Sequence, residues 1–305
     1  MGDKNIKDTH KMLSDEAAKM GSVRMRFQGE EMITEFFEAN NTEDMCRQAT
    51  SGLVLVDTHA HLTDKAFEGE EEIIVGRAAE CGVAFIITSG YNLSSSQTAV
   101  ACAEKFDNVY ASVGFYPENC MEFDCEALKE IAQNEKVVAI GEIGLQYTEG
   151  MPPKEEQIEV FEKQIKLAHE LNLPIVIHCR EAYGDCLEVL KRNQQFLKAG
   201  GTLHCYCGSS EMAKEFIRLG LHISVGGVST FKNADKIKKA VIDCPLERIL
   251  LETDCPYLAP HPFRGKRNEP SLIPTIAENL ATLKGISVEE VVSVTTQNAR
   301  RLFKI

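Results

Sequence analysis

From Leu53 onward, short apolar runs rich in β-branched residues alternate with longer segments of helical periodicity. Such runs are typical of buried parallel strands, and the segments between them are typical of amphipathic helices. The eight predicted strands lie in LVLVDTH, VAFIITSG, VYASVGFYP, VVAIGEIGL, PIVIHCR, GTLHCY, LHISVGG and RILLETD. Eight strand–helix units over about 250 residues predict an α/β fold, the (β/α)8 TIM barrel. A doubly wound sheet is the alternative, which is less favoured because no glycine-rich phosphate turn follows the first strand.

Residues 1–52 do not share this alternation. Their apolar residues show helical spacing in one short stripe, and their composition is typical of an appendage rather than of a packed core. The stripe consists of Met32, Ile33, Phe36 and Phe37. We therefore expect a helical or partly disordered N-terminal extension at 1–52, followed by a barrel domain at 53–305.

Histidines and acidic residues interrupt the predicted strands near their carboxyl ends. In a TIM barrel these ends meet at one rim, and that rim carries the active site. Side chains two residues apart in a strand point to the same face, so two of the histidines project together. The candidate residues are His59 and His61 (first strand), Glu142 (fourth), His178 (fifth), His204 (sixth) and Asp254 (eighth). Histidines outside this set include His10, His169 and His222.

A metal centre would explain this set, because unpartnered imidazoles and carboxylates are costly to bury. Six ligands are too many for one tetrahedral zinc ion and suit two divalent ions that share a bridging carboxylate. Mixed nitrogen and oxygen donors fit Zn²⁺, Mn²⁺ or Mg²⁺ and leave the choice open. Each residue has a structural alternative, such as an internal salt bridge for Glu142 or a cap for Asp254. Their common position at the ends of five strands favours the metal centre.

Cysteine follows three of the candidate ligands, at Cys179, Cys205 and Cys255. Strand alternation predicts that Cys205 and Cys207 face away from His204, so we expect packing against outer helices rather than zinc–thiolate bonding. The chain has eleven cysteines and no C-x-x-C pair. In a chain of this length that pattern indicates reduced thiols in a cytosol rather than a disulfide framework.

The N-terminal segment is polar and carries acidic residues, which is not typical of a signal peptide. No apolar run approaches the roughly 20 residues of a membrane span, so we expect a cytoplasmic protein.

A net charge of -13 opposes nucleic-acid binding unless cations and a local basic segment supply positive charge. HPFRGKRNEP offers such a segment in Arg264, Lys266 and Arg267, with a simple solvated loop as its alternative. Arg180, two residues after His178, is a further candidate for binding a phosphate oxygen, with a structural ion pair as its alternative.

The chain resembles the TatD family of metal-dependent deoxyribonucleases, a branch of the amidohydrolase-like barrels. Six ordered motifs carry the resemblance between about Leu53 and Ile305: VDTHAHL, GEIGL, PIVIHCREA, HCYCGS, LLETDCPYLAP and RGKRNEP. The resemblance implies a TIM barrel with two ions, one held by His59, His61, Glu142 and Asp254, and the other by Glu142, His178 and His204. It also implies hydrolysis of DNA phosphodiester bonds, often as a 3′→5′ exonuclease on single strands or strand ends, with Mg²⁺ or Mn²⁺.

Within that mechanism Asp254 would help to deprotonate the attacking water, and Glu142 would bridge the ions. One departure from the family is Gln146, which stands where GEIGL is usually followed by aspartate and could change the tuning of the ligands or the substrate. Two other functions remain open. The same scaffold could hydrolyse a small ester, amide or lactone, or it could be a non-catalytic metal-bound scaffold that binds a partner through the N-terminal helices. Retention of all six ligands argues against the second.

Overall fold

The computed structural model describes residues 23–28, 31–36 and 53–305, and the chain divides into units of residues 1–49 and 50–305. In the first unit, strand β1 (Val23–Gln28) pairs antiparallel with strand β2 (Glu31–Phe36). The helical extension predicted for 1–52 is therefore wrong at these two segments. VRMRF alternates apolar and charged residues with period two, which favours a strand. The remainder of the extension, including Phe37, lies outside the described residues.

The second unit contains an eight-stranded parallel sheet in the order β10-β9-β8-β7-β6-β5-β4-β3. All eight strands predicted from the sequence are present, and the sheet curls into a nearly closed barrel, which confirms the (β/α)8 prediction. The strands are β3 (Leu55–Ala60), β4 (Val83–Ser89), β5 (Val109–Val113), β6 (Val137–Gln146), β7 (Ile175–Arg180), β8 (Gly201–Leu203), β9 (His222–Val225) and β10 (Ile249–Leu251).

A helix follows each barrel strand, and a second helix follows the last one. The helices are α1 (Glu71–Glu80), α2 (Leu93–Lys105), α3 (Cys125–Ile131), α4 (Lys154–Leu171), α5 (Tyr183–Arg192), α6 (Ser210–Arg218), α7 (Asp235–Asp243), α8 (Ile273–Lys284) and α9 (Val288–Phe303). Within the described part of the chain, no helix combines the length and the apolar character needed to cross a membrane.

Local chemistry explains where these helices begin, end and pack. Asn92 accepts a hydrogen bond from the Ser95 N–H, and the Ser95 hydroxyl accepts one from the Asn92 N–H, a capping box that starts α2. Asn172 and Gly285, with φ of 54° and 66°, end α4 and α8 in the left-handed conformation. Between its ends α4 buries one stripe at helical spacing, formed by Val160, Phe161, Gln164, Ile165, Leu167 and Ala168.

Side chains of β3 close the barrel against β10. The Asp57 carboxylate accepts hydrogen bonds from the N–H and the hydroxyl of Thr253, and the N–H bond measures 2.9 Å. The Thr58 hydroxyl donates to the Leu251 carbonyl at 2.9 Å. Just above them, the Asp254 N–H donates to the His59 carbonyl at 2.9 Å. These bonds bring the segment after β10 against the end of β3, so residues almost 200 positions apart share the rim.

Candidate metal centre

The structure brings all six candidate ligands together at the carboxyl-terminal rim. Glu142 does not lie at the end of its strand as the sequence predicts, because β6 continues for four residues beyond it. The others lie within β3 and β7 or directly after β3, β8 and β10: His59 and His178 in the strands, and His61, His204 and Asp254 just beyond. Two histidines expected to lie elsewhere do so, His169 in α4 and His222 at the start of β9, and His10 is outside the described residues.

Four donors form the first group, which we call site A (His59, His61, Glu142 and Asp254). The Nε2 atoms of His59 and His61 are 3.2 Å apart. Glu142 Oε2 lies 3.6 and 3.8 Å from these nitrogens, and Asp254 Oδ1 lies 3.7 and 3.5 Å from them. A tetrahedral ion with bonds of about 2.1 Å separates its ligands by about 3.4 Å. The spacing in site A therefore suits one cation.

Three donors form the second group, site B (Glu142, His178 and His204). Glu142 Oε1 is 2.9 Å from both His178 Nδ1 and His204 Nε2, and these two nitrogens are 3.0 Å apart. Ligands on one edge of an octahedron with bonds of about 2.1 Å are about 3.0 Å apart, so this spacing also suits a cation. Glu142 directs one carboxylate oxygen to each site, which is the position of a bridging ligand.

Hydrogen bonds on the far side of two rings determine which nitrogens face the sites. His61 Nδ1 lies 3.3 Å from the Ser89 carbonyl, and His178 Nε2 lies 2.9 Å from Gln146 Oε1. Both partners are acceptors, so a neutral ring that donates to them presents the lone pair of His61 Nε2 or His178 Nδ1 to the site, as a metal ligand does; in the protein alone, protons on those nitrogens can bond to Asp254 and Glu142 instead. Lone pairs facing a carboxylate repel it unless positive charge lies between them. The donor set therefore fits bound cations.

The pKa values of the buried residues also indicate that the carboxylates of the site require positive charge nearby. Burial alone would lower the pKa of His204, but the Glu142 carboxylate outweighs it and raises that pKa well above its usual range. Burial likewise opposes ionisation of Glu142, yet His204 and His178 hold its pKa well below the ordinary value. In the protein alone a proton on His204 compensates Glu142. A divalent cation would take over that compensation and displace the proton.

Glu252 is a site residue that sequence reasoning missed. It is fully buried behind His204, with Oε1 3.7 Å from His204 Nδ1 and accepting from the Cys205 N–H. Among the described residues, neither His204 Nδ1 nor Glu252 Oε2 has a hydrogen-bond partner. A carboxylate behind a ligating imidazole fixes its tautomer and strengthens it as a ligand. The available signal was an acidic residue inside the apolar run of LLETD.

Gln146 holds the opposite side of site B. Its Oε1 accepts hydrogen bonds from the Tyr116 hydroxyl and from His178 Nε2, while its amide nitrogen donates to Thr148 at 2.8 Å. Burial raises the pKa of Tyr116, which keeps its hydroxyl protonated and able to donate. The amide thus orients His178 as an aspartate could, but without adding negative charge to the site.

The loops at the rim contain unusual backbone conformations. Cys205, Asp254 and Leu258 have φ of 43°, 57° and 55°, a region that residues other than glycine rarely adopt. Such conformations cluster at functional sites, where surrounding contacts hold them.

His204 and Cys205 follow the end of β8, so the strand alternation from which we predicted the orientation of Cys205 does not apply there. No cysteine of the described chain belongs to either metal-type donor cluster.

The four basic residues predicted to bind substrate differ in their surroundings. Arg180 is exposed beside His178, and its guanidinium forms no ion pair or hydrogen bond with any described residue. Arg267 pairs with both carboxylate oxygens of Glu70, at 3.0 and 2.7 Å, and lies over the Phe67 ring. The Arg264 guanidinium lies 4.4 Å from the centre of the Phe231 ring, and Lys266 is exposed. The geometry therefore favours Arg180 for contact with a substrate and gives Arg267 a structural role.

Known proteins match the barrel domain closely. The family described as TatD related DNase matches residues 56–304. A Bacillus subtilis protein named uncharacterized metal-dependent hydrolase YabD is 44% identical over 83% of this chain and 100% of its own length. The 3′-5′ ssDNA/RNA exonuclease TatD of Erwinia amylovora is 34% identical over 82% of this chain and 99% of its own. The crystal structure of YjjV, a TatD homologue from Escherichia coli K12, superposes with a TM-score of 0.79 at 31% identity, covering 86% and 99% of the two chains.

The barrel and its cluster of imidazoles and carboxylates define a metal-dependent hydrolase. The chain belongs to the TatD family, as the motifs in its sequence indicate. Its relatives carry the names of metal-dependent hydrolases and of nucleases, and the protein is accordingly a hydrolase of the metal-dependent type.

Proposed function

We propose that the protein is a cytoplasmic deoxyribonuclease with two divalent ions that removes nucleotides from the 3′ end of single-stranded DNA. The observation that carries the proposal is the bridging position of Glu142, whose two oxygens face two separate groups of donors. The name of the Erwinia relative supports the choice of substrate. The cysteines of residues 53–305 are all free, which supports a reducing compartment.

Bound divalent ions would supply an activated water and neutralise the charge that builds on phosphoryl oxygens. The residues of the chain would do the rest. Glu142 holds sites A and B at a fixed separation, and Asp254 acts as general base. Burial raises the pKa of Asp254, but its hydrogen bond with His61 and the nearby imidazoles outweigh burial and lower it. Asp254 therefore stays ionised, and its partly exposed carboxylate can accept the proton of the attacking water.

The hydrolysis of a small ester, amide or lactone is the second candidate. It is favoured by the small number of unpaired cations at the rim, where the charge of Arg267 is compensated by Glu70. A small uncharged substrate needs no positive charge at the rim, whereas a long polyanion would be repelled by the net charge of -13.

One assay separates the two functions. Purified protein is incubated with Mg²⁺, Mn²⁺ or Zn²⁺ and with single-stranded DNA labelled at its 5′ end, beside a His178→Ala control. Stepwise shortening by the wild-type protein, absent in the variant, is the expected result, because His178 contributes one of three donors to site B. Turnover of small esters or lactones without any shortening of DNA would contradict the nuclease and support the second candidate.

Arg180 and Arg267 offer a matched pair of substitutions. Arg180→Ala is expected to raise KM for DNA about 10- to 100-fold, since a charge-assisted bond to phosphate is worth about 1.5–3 kcal/mol. Arg267→Ala should leave KM within about twofold and reduce thermal stability slightly, because its guanidinium is already paired with Glu70 in an exposed salt bridge. Steady-state kinetics and a melting curve for each variant measure both effects. Equal KM values for the two variants would show that Arg180 does not touch the substrate.

A further inference from the structure

Two exposed tyrosines flank the most accessible side of site A. The centres of the Tyr91 and Tyr257 rings lie 6.4 and 6.0 Å from the centre of the His61 ring, which meets both edge to face. Tyr91 is 45% exposed and Tyr257 is 52% exposed. His59 is fully buried, whereas the His61 and Asp254 side chains are 12% and 13% exposed. A substrate that reaches site A therefore passes these rings.

Hydrogen bonds hold the side chain of Tyr257 and the backbone of Tyr91 in place. The Tyr257 hydroxyl donates to Asp64 Oδ2 at 2.6 Å. The Tyr91 N–H donates to the Ser95 hydroxyl at 2.8 Å, and the Tyr91 carbonyl accepts from the Tyr116 N–H at 2.9 Å. Fixing a ring in advance reduces the entropy lost when a ligand packs on it. An exposed ring that is fixed in this way is suited to binding.

Exposed apolar surface is concentrated at this mouth. Seven large apolar or aromatic residues of the described chain are strongly exposed, and three of them are Tyr91, Tyr257 and Leu258. The cavity beside Tyr91 offers phosphate no net positive charge, because the glutamates of its lining (Glu68, Glu71 and Glu72) outnumber the lysines (Lys65 and Lys105). The exposed rings are therefore the better surface for the rest of the substrate.

We propose that Tyr91 and Tyr257 form a stacking site for unpaired nucleobases at the 3′ end of the DNA, an inference that rests on the proposed nuclease function. Stacking on aromatic rings is tolerant of sequence, and it requires a base that is not paired. It also provides binding energy that does not depend on positive charge, which acidic residues outweigh in this chain of net charge -13. The same site thus selects single strands and compensates for the small number of phosphate contacts.

The test uses the metal-loaded protein and two oligonucleotides that differ only at the 3′ end. One carries ordinary nucleotides, and in the other the last two are abasic. Tyr91→Ala and Tyr257→Ala are expected to raise KM for the ordinary strand roughly 5- to 100-fold, with kcat changed less than about twofold. Tyr91→Phe should restore the wild-type KM, because phenylalanine keeps the ring, and Tyr257→Phe should restore most of it, because the ring is kept but its bond to Asp64 is lost. Ile242→Ala, which removes an exposed apolar side chain from the last turn of α7, is the control and should leave both constants unchanged.

The abasic strand distinguishes stacking from a structural effect. With it, the KM of the wild-type protein should rise at least to that of the alanine variants on the ordinary strand, and the difference in KM between wild type and those variants should disappear. The dependence of KM on salt should be equal in wild-type and tyrosine variants, because no phosphate contact is lost. Equal wild-type KM for both strands, or a fall in kcat alone, would overturn this inference while leaving the nuclease in place. Failure of the wild-type protein to cleave any DNA would overturn the proposed function and this inference with it.

Discussion

Replacing Glu142 by glutamine is expected to reduce hydrolysis by at least about a thousandfold and to prevent binding of two ions. The carboxylate lies within 3.8 Å of four imidazole nitrogens and joins sites A and B. Glutamine would keep one acceptor oxygen but present an amide nitrogen, which cannot ligate a cation, to the other site. Loss of metal that stabilises several kcal/mol of transition-state charge lowers the rate tenfold for each 1.4 kcal/mol.

Glu252→Gln provides the matched control, since it makes the same chemical change at a buried carboxylate behind His204. This variant should still bind two ions at saturating metal, with affinity reduced about 10- to 100-fold. Elemental analysis of the purified proteins gives the number of bound ions, and titration with Mn²⁺ gives the affinities. If the Glu142→Gln protein retained two ions per chain, Glu142 could not be the bridging ligand.

Replacing Asp57 by alanine is expected to lower the free energy of unfolding by about 3–5 kcal/mol. The Asp57 carboxylate is completely buried and accepts from three donors, which are the N–H and hydroxyl of Thr253 and the N–H of His59. Alanine would leave all three without an acceptor at the junction of β3 and β10. Urea unfolding of the metal-free proteins measures the change, and a loss below about 1 kcal/mol would show that other contacts close the barrel.

Asp57→Asn is the companion variant, because asparagine retains an acceptor oxygen and does not titrate. Burial raises the pKa of Asp57 to about 7, above its ordinary value of 3.8. An acid whose folded-state pKa is raised favours folding below the ordinary pKa, and this contribution is lost as the pH rises toward 7. Asparagine should therefore be most destabilising near pH 4 and become progressively less so up to pH 7. A difference between wild type and variant that is constant over this range would contradict burial of an ionisable Asp57.

The limits of sequence reasoning are clearest where residues distant in the chain meet. In the sequence, Arg267 is one of three cations in a basic segment, but in the structure it forms a salt bridge with Glu70, which is 197 residues away. Asp57 and Thr253 are 196 residues apart, and nothing in VDTHAHL identifies the donor that the acid would meet. At β1 and β2, the helical spacing of Met32, Ile33 and Phe36 predicts a helix, whereas the structure pairs the two segments as antiparallel strands.

The sequence by itself determined the barrel and the positions of the six candidate ligands along the chain. Strand and helix periodicities are local properties, and parallel strands that share one rim bring their carboxyl ends together whatever the loops contain. Only the tertiary structure decided the rest: the two-sided position of Glu142, the acceptors that orient His61 and His178, the buried Glu252, and the two rings beside the mouth. Each of these depends on distances between side chains of different strands and loops, and such distances exist only once the sheet has closed.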